Sequence, residues 1–212
     1  MIKTTITSTG PVVTLFESYG SGAESVGRKV AQALGVSFLS QLYSSEQLEA
    51  AETAESDEDN AFMRVLKMFG HENTDHLDNN ILLPSDQSDQ NARVQENNRT
   101  LIEGTAKGGV VLGRNATVVL AGNPRALHVK LDGPVEARVA RAAADAGIDP
   151  DRAARRQVHE DDVRAAMSFK LYHWDPREND RYDLVINTAH LDLDAVTAII
   201  VAASRAKAAS VA

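Results

Sequence analysis

The tightest constraint on the fold of this chain is a glycine loop set between an apolar strand and an amphipathic helix. Val12-Val13-Thr14-Leu15-Phe16 has the continuous apolar character of a buried strand. The next segment, Glu17-Ser18-Tyr19-Gly20-Ser21-Gly22-Ala23-Glu24-Ser25, leads straight into a helix with Val26, Val30, Ala31 and Leu34 on one face. Gly20 and Gly22 let the backbone turn sharply and aim N–H groups at an anion, and the helix adds its positive N-terminal end. Ser25 stands where a phosphate loop places the hydroxyl that ligates Mg²⁺, and Ala23 stands where such a loop places its lysine. A Gly-Ser-Gly turn also serves the backbone alone, so the remainder of the chain has to discriminate between the two readings.

At 212 residues the chain is long enough for one α/β domain with an inserted subdomain and a proper core. It has no cysteine, which excludes disulfides, thiolate metal sites and thiol nucleophiles. The N-terminal Met1-Ile2-Lys3-Thr4-Thr5 carries no secretory apolar region, and no run approaches the ~20 apolar residues of a membrane span. A soluble, cytoplasmic chain without a membrane partner is expected. The net charge of −8 is uneven: residues 1–113 hold 16 acids and 8 bases, whereas 114–212 hold 14 of each. Ten of the 15 arginines lie between Arg114 and Arg181. Overall acidity argues against nucleic acid, which is bound through a basic surface. Arginines concentrated in an acidic chain point to a small phosphorylated ligand, because the guanidinium fork binds phosphate oxygens in pairs.

Strands are expected at 36–39, 110–112, 126–131 and 182–187. Ser44 or Ser45 caps a helix through about Glu55, and residues 52–60 form a solvated acidic run. A short helix over 61–69 precedes a polar loop over 71–90, and another helix runs from about Asp89 to Glu103. Pro134 opens a helix through Ala146; Asp149-Pro150 caps and starts the helix bearing the arginine cluster. Asp192 or Asp194 caps a last helix with Val196, Ile199, Ile200 and Ala203 inward. Strands alternating with helices predict a parallel sheet covered on both faces.

The glycine loop, Val110-Val111-Leu112-Gly113-Arg114 and Tyr182-Asp183-Leu184-Val185-Ile186-Asn187-Thr188 occur in that order around the arginine-rich stretch. Together they make the chain resemble the cytidylate kinase-like family of P-loop nucleoside monophosphate kinases, from about residue 10 to 203 and most weakly between 40 and 105. The resemblance implies a three-layer α/β P-loop NTPase fold with a parallel sheet and a helical lid. It implies a single domain over 1–212, with an acceptor-binding helical insertion at about 40–105 and the lid at about 150–181. By the same resemblance Gly20, Ser21, Gly22 and Ser25 hold a donor triphosphate, ATP, with Mg²⁺ on Ser25. Arg114, Arg138 and Arg141 hold a small phosphorylated acceptor. Arg152, Arg155 and Arg156, with Asp161 and Arg164, belong to the lid, and Arg152, Arg156, Asp161 and Arg164 are the catalytic candidates.

Several positions depart from the family pattern. Ala23 replaces the lysine of cytidylate kinases, and Glu24 stands where related families have glycine or arginine. Glu17 and Ser40 fall where many relatives have arginine and aspartate, and Asn115 replaces an aspartate. Two functions follow. One is an ATP- and Mg-dependent kinase for a nucleoside monophosphate or another small phosphorylated or hydroxylated acceptor. The other is a nucleotide-binding sensor or scaffold without turnover, with room for a homo-oligomer.

Phosphoryl transfer asks mainly for positioning and positive charge, so a lid arginine could stand in for the absent lysine. The cluster also reads as a solvated helix face with pairs such as Arg156–Glu160. Arg114 follows an apolar strand and a glycine at the carboxyl edge of the sheet, where open α/β folds bind ligands; its alternative is a salt bridge. Arg138 and Arg141 face the site or pair with Glu136 and Asp145. Asp132 touches Mg²⁺ through water or, more simply, caps the helix near Pro134. His71, Asp75, His76 and Asp78 have metal-ligand chemistry but no helix-fixed spacing. His159 reads as a surface residue. Trp174, with Tyr172 and Pro176, stacks on a base or packs the lid hinge.

Overall fold

A computed structural model describes residues 9–41, 44–53 and 87–211. Strand β1 (Val12–Glu17) leads into helix α1 (Ala23–Leu34), then β2 (Ser37–Leu39), α2 (Ser45–Thr53) and α3 (Gln87–Gly104). The chain continues through β3 (Gly109–Leu112), α4 (Ala116–Val119), β4 (Ala126–Asp132), α5 (Val135–Ala146), α6 (Pro150–Tyr172), β5 (Leu184–Asn187) and α7 (Leu193–Ala209).

The strands form one sheet in the order β2-β3-β1-β4-β5, and every pairing is parallel. Strand β1 lies at the centre, with Leu15 opposite Leu112 on one side and Val129 on the other. Its apolar run is explained by this position, because both faces are covered. Val13, Leu15, Val110, Leu112, Val129 and Leu131 pack on Val26 and Val30 of α1 and Val196 and Ile200 of α7. Val12, Val111 and Ala126 pack on the opposite side against Leu101 of α3, Ala116 of α4 and Leu120. Burying each of the valine, leucine and isoleucine side chains contributes about 1.5–3 kcal/mol. The two clusters define the outer layers of a three-layer α/β P-loop NTPase fold.

A polar trio is set into the sheet. Thr14 is fully buried in β1; its hydroxyl lies 2.8 Å from His128 Nδ1 and 3.2 Å from the Thr117 hydroxyl. The trio ties α4 and β4 to the central strand, and burial holds the imidazole at a pKa of about 4.

The end signals read from the sequence operate as local physics requires. Ser44 and Gln47 form a reciprocal capping box, each side chain bonding the other's backbone N–H. The Asp149 carboxylate accepts from Asp151 N–H, with Pro150 in the first turn of α6, and Asp192 accepts from Ala195 N–H at α7. Helix α6 runs unbroken for 23 residues and stops at His173, which takes a left-handed conformation.

Other expectations need correction. Asp132 does not cap α5: Pro134 is the N-cap residue, without a side-chain cap. The Asp132 carboxylate instead accepts from Gly133 N–H at 2.8 Å and faces Lys130 and Arg138. Tyr182 precedes β5 rather than opening it, and packs against Trp174 and Phe16 with ring centroids 5.7 and 6.1 Å apart. Helix α4 was not anticipated. The expected acidic run beyond Thr53, the helix over 61–69 and the loop bearing His71, Asp75, His76 and Asp78 lie outside the described residues. Among the described residues, no helix is long and apolar enough to cross a membrane.

Candidate functional site

The glycine loop leaves the carboxyl end of β1 under close control. Ser18 N–H still bonds the Leu131 carbonyl, Ser21 N–H closes a turn on Ser18, and Val26 N–H bonds Gly22 to start α1. Gly20 and Gly22 have φ of +77° and +83°. A Cβ on Gly20 would stand 2.2 Å from the Arg138 carbonyl oxygen, so only glycine fits there.

The carbonyl side of the loop is fastened from behind. Arg138, buried on α5, donates to the Tyr19 carbonyl at 2.8 Å, to the Gly133 carbonyl at 2.9 Å and to Asp161 at 3.1 Å. Arg141 donates to the Gly20 carbonyl at 3.0 Å and to the hydroxyl and carbonyl of Thr188. Asp161 on α6 also accepts from Tyr19 N–H at 2.8 Å and from Gln157. Arg138, Arg141 and Asp161 thus converge on the loop itself, and the partners expected for the two arginines, Glu136 and Asp145, are not the ones they take.

The N–H side of the loop has a different occupant. The Glu17 carboxylate accepts from Ala23 N–H at 3.4 Å. Burial pushes this carboxyl up from its ordinary range; Arg164 opposes the shift, whereas Glu160 and Glu24 add to it. Glu24 itself turns outward and pairs with Arg28 one turn along α1. Ser21 is fully buried and its hydroxyl has no protein partner, while Ser25 is exposed in the first turn of α1.

Beside the loop a cavity continuous with solvent opens between the carboxyl ends of β1 and β3 and the flank of α6. Leu48, Leu112, Val163 and Met167 supply apolar wall; Glu17, Gln41, Arg114, Asn115, Arg164, Ser168 and Trp174 supply polar groups. Gly113, Arg114 and Asn115 are three successive left-handed residues, with φ of 68°, 55° and 55°. The conformation costs a non-glycine residue of order 1–3 kcal/mol, and such outliers collect at functional sites. Arg114 Nε donates to the Ser40 carbonyl at 2.6 Å, and Asn97 donates to the Arg114 carbonyl. Asn115 accepts from the Ser168 hydroxyl at 2.5 Å.

Arg164 donates through Nη2 to Glu160 at 2.5 Å and to Gln41 at 3.3 Å. Its Nη1, Glu160 Oε1 and the Trp174 indole N–H are buried without a protein partner. Arg152 and Arg156 turn to α2. Arg152 forks onto both oxygens of Glu49, and Arg156 donates to Glu49 at 2.6 and 3.0 Å and to Glu46. Hydrogen bonds first from Arg152 and then from Arg156 hold the Glu49 carboxyl at about 2. Arg155 is exposed and His159 half-buried.

Among the sequence candidates, Arg114 and Arg164 share the cavity lining; Arg138, Arg141 and Asp161 gather at the loop, and Arg152 and Arg156 gather at Glu49. The sequence reading missed Gln41, Glu49, Ser168 and the cavity-facing role of Glu17. Glu17 carried a usable signal, as a charged residue closing an apolar strand at the ligand-binding edge of a parallel sheet.

A crystal structure of an uncharacterized protein from Eubacterium ventriosum superimposes with a TM-score of 0.65 at 18% identity, covering 93% of this chain and 99% of that one, and shows a shared fold. A gluconokinase from Sinorhizobium meliloti aligns at a TM-score of 0.46 and 18% identity, over 97% of this chain and 95% of that one. A protein named uronate isomerase from Corynebacterium glutamicum is 31% identical over 143 residues, 68% of this chain. This chain spans about a quarter of that relative's length, 27%. The cytidylate kinase-like family model matches residues 12–190, and the chain belongs to that family.

Proposed function

We propose that the chain is a phosphotransferase that uses ATP and Mg²⁺ to phosphorylate a nucleoside monophosphate or a similar small acceptor. The observation that carries this reading is a cavity at the carboxyl edge of the sheet lined by Arg114, Arg164 and Glu17, with the Glu17 carboxylate 3.4 Å from Ala23 N–H of the glycine loop. A donor bound at Gly20, Ser21 and Gly22 would present its terminal phosphoryl to an acceptor lying against the two guanidinium groups. Arg164 supplies a buried, unpartnered N–H on the cavity wall, the kind of preorganised donor that stabilises spreading phosphoryl charge. Arg138, Arg141 and Asp161 serve by positioning the loop. Arg152 and Arg156 hold α2, and hence Leu48, against α6.

The residues present fit Mg²⁺ arriving with the donor. Among the described residues no cluster of three metal-ligating side chains exists, and Ser25 offers an exposed hydroxyl. That donor set suits an ion that keeps several waters and binds through one protein oxygen and the substrate phosphates. When bound, Mg²⁺ would neutralise charge on the phosphates. A cytoplasmic location, consistent with the lack of cysteine, and a homo-oligomer belong to the same proposal.

A second reading, nucleotide binding without turnover, is favoured by one feature: Ala23 in place of lysine, with its N–H taken by Glu17. Calorimetric titration of ATP and CMP with Mg²⁺, followed by a coupled ADP-release assay, separates the two. Acceptor-dependent ADP release selects the kinase, and binding without release selects the sensor. Absence of nucleotide binding rejects both.

A further inference from the structure

We propose that Glu17 is the general base of this site and that the acceptor is a hydroxyl group on a small carboxylic acid rather than a phosphate. The inference rests on the phosphotransferase reading above and names its acceptor class. Glu17 bridges the two halves of the site: its Oε1 lies 3.4 Å from Ala23 N–H inside the loop, and the same side chain lines the acceptor cavity. The contact to Ala23 is long, so a donor phosphate displaces it at little cost.

The chemistry of the cavity favours a hydroxyl. A phosphate acceptor is already deprotonated near neutral pH and needs no base. A hydroxyl must lose its proton as its oxygen bonds to phosphorus. In the proposed step the acceptor oxygen attacks the γ-phosphorus of ATP while the hydroxyl proton passes to Glu17. The bond from the γ-phosphorus to the β,γ-bridging oxygen breaks, and ADP departs with the electron pair. The acceptor's carboxylate lies against Arg114 and Arg164, and Gln41, Asn115 and Ser168 offer amide and hydroxyl groups to its remaining hydroxyls.

The charges that act on Glu17 are those of Arg164 and Glu160 from α6 and of the outward-turned Glu24 from α1, and Arg114 lines the same cavity. Burial moves the Glu17 carboxyl upward, toward the range in which a general base works at neutral pH.

The test is ADP release by the full chain with Mg-ATP and either CMP, gluconate or glucuronate as acceptor, in the native protein, E17Q and E17D. At least one hydroxy acid is expected to exceed CMP in kcat/KM by tenfold or more. E17Q should lower kcat for that acid by about 10²–10⁴-fold, the range removed with a general base, while KM for ATP stays within threefold. E17D should recover part of the rate, and the ascending limb of the native pH profile should be missing in E17Q. CMP preferred over both acids, or E17Q turning over at the native rate, overturns the inference and leaves the kinase reading standing. Failure to bind Mg-ATP removes both.

Discussion

The two sides of the glycine loop are built on opposite principles. Behind it, Arg138, Arg141 and Asp161 meet the backbone of Tyr19 and Gly20 with short, charge-assisted hydrogen bonds. In front of it, Arg164 Nη1 and the Trp174 indole N–H are buried and unpartnered in residues that line the cavity. Buried polar atoms are nearly always satisfied in folded proteins, so two exceptions in residues of the cavity wall are informative. The back is scaffold, already satisfied by the protein. The front retains hydrogen-bonding capacity for something that arrives.

Substitutions should divide along that line. The largest stability effect is expected behind the loop. Arg138→Ala removes the buried guanidinium that binds the Tyr19 and Gly133 carbonyls and one of the three donors to Asp161, and urea denaturation should show a loss of about 3 kcal/mol or more. An unchanged midpoint would mean that the loop is not fastened there.

A comparable effect comes from pH through His128. Its folded pKa of about 4 lies below the ordinary value of 6.5. The folded state therefore favours the neutral ring, and the stability this contributes is present above pH 6.5 and lost as pH falls toward 4. The loss amounts to about 3 kcal/mol by proton linkage. Denaturation midpoints measured between pH 7 and 4 should fall more steeply in the native chain than in His128→Gln; equal slopes would contradict the assignment.

In front of the loop, Arg114→Ala should cut phosphoryl transfer by about 10²-fold or more while the urea midpoint moves little. Turnover retained in this variant would remove Arg114 from the site. The smallest effect should come from Arg152→Ala. That side chain is 47% exposed and its pairing with Glu49 is duplicated by Arg156, so solvent screening keeps the shift in the urea midpoint small. A larger shift would show that α2 depends on Arg152 specifically.

The same division explains what could be read from the sequence. The strands, the Ser44, Asp149 and Asp192 caps and the loop glycines are local signals, decided by side chains within a few residues of each other, and they were legible. The i,i+4 rule holds on α6, though not for the pair Arg156–Glu160. It is realised by Glu160 and Arg164, whereas Arg156 is drawn to Glu49, 107 positions away in the chain. Helix α4 was hidden for a related reason. Ala116-Thr117-Val118-Val119 is rich in β-branched residues, which disfavour helix, and the left-handed turn at 113–115 with the buried Thr14–Thr117 contact imposes the helix from outside. Glu17 was visible as a departure from the family pattern, but its approach to Ala23 N–H depends on the folded loop.

The most direct measurement of the central claim is titration of the full chain with ATP in the presence of Mg²⁺, paired with the same titration of Arg138→Ala. The account predicts saturable binding to the native chain, weakened at least tenfold when the fastening behind the loop is removed. Failure of the native chain to bind ATP, or equal affinity in the two proteins, would contradict it.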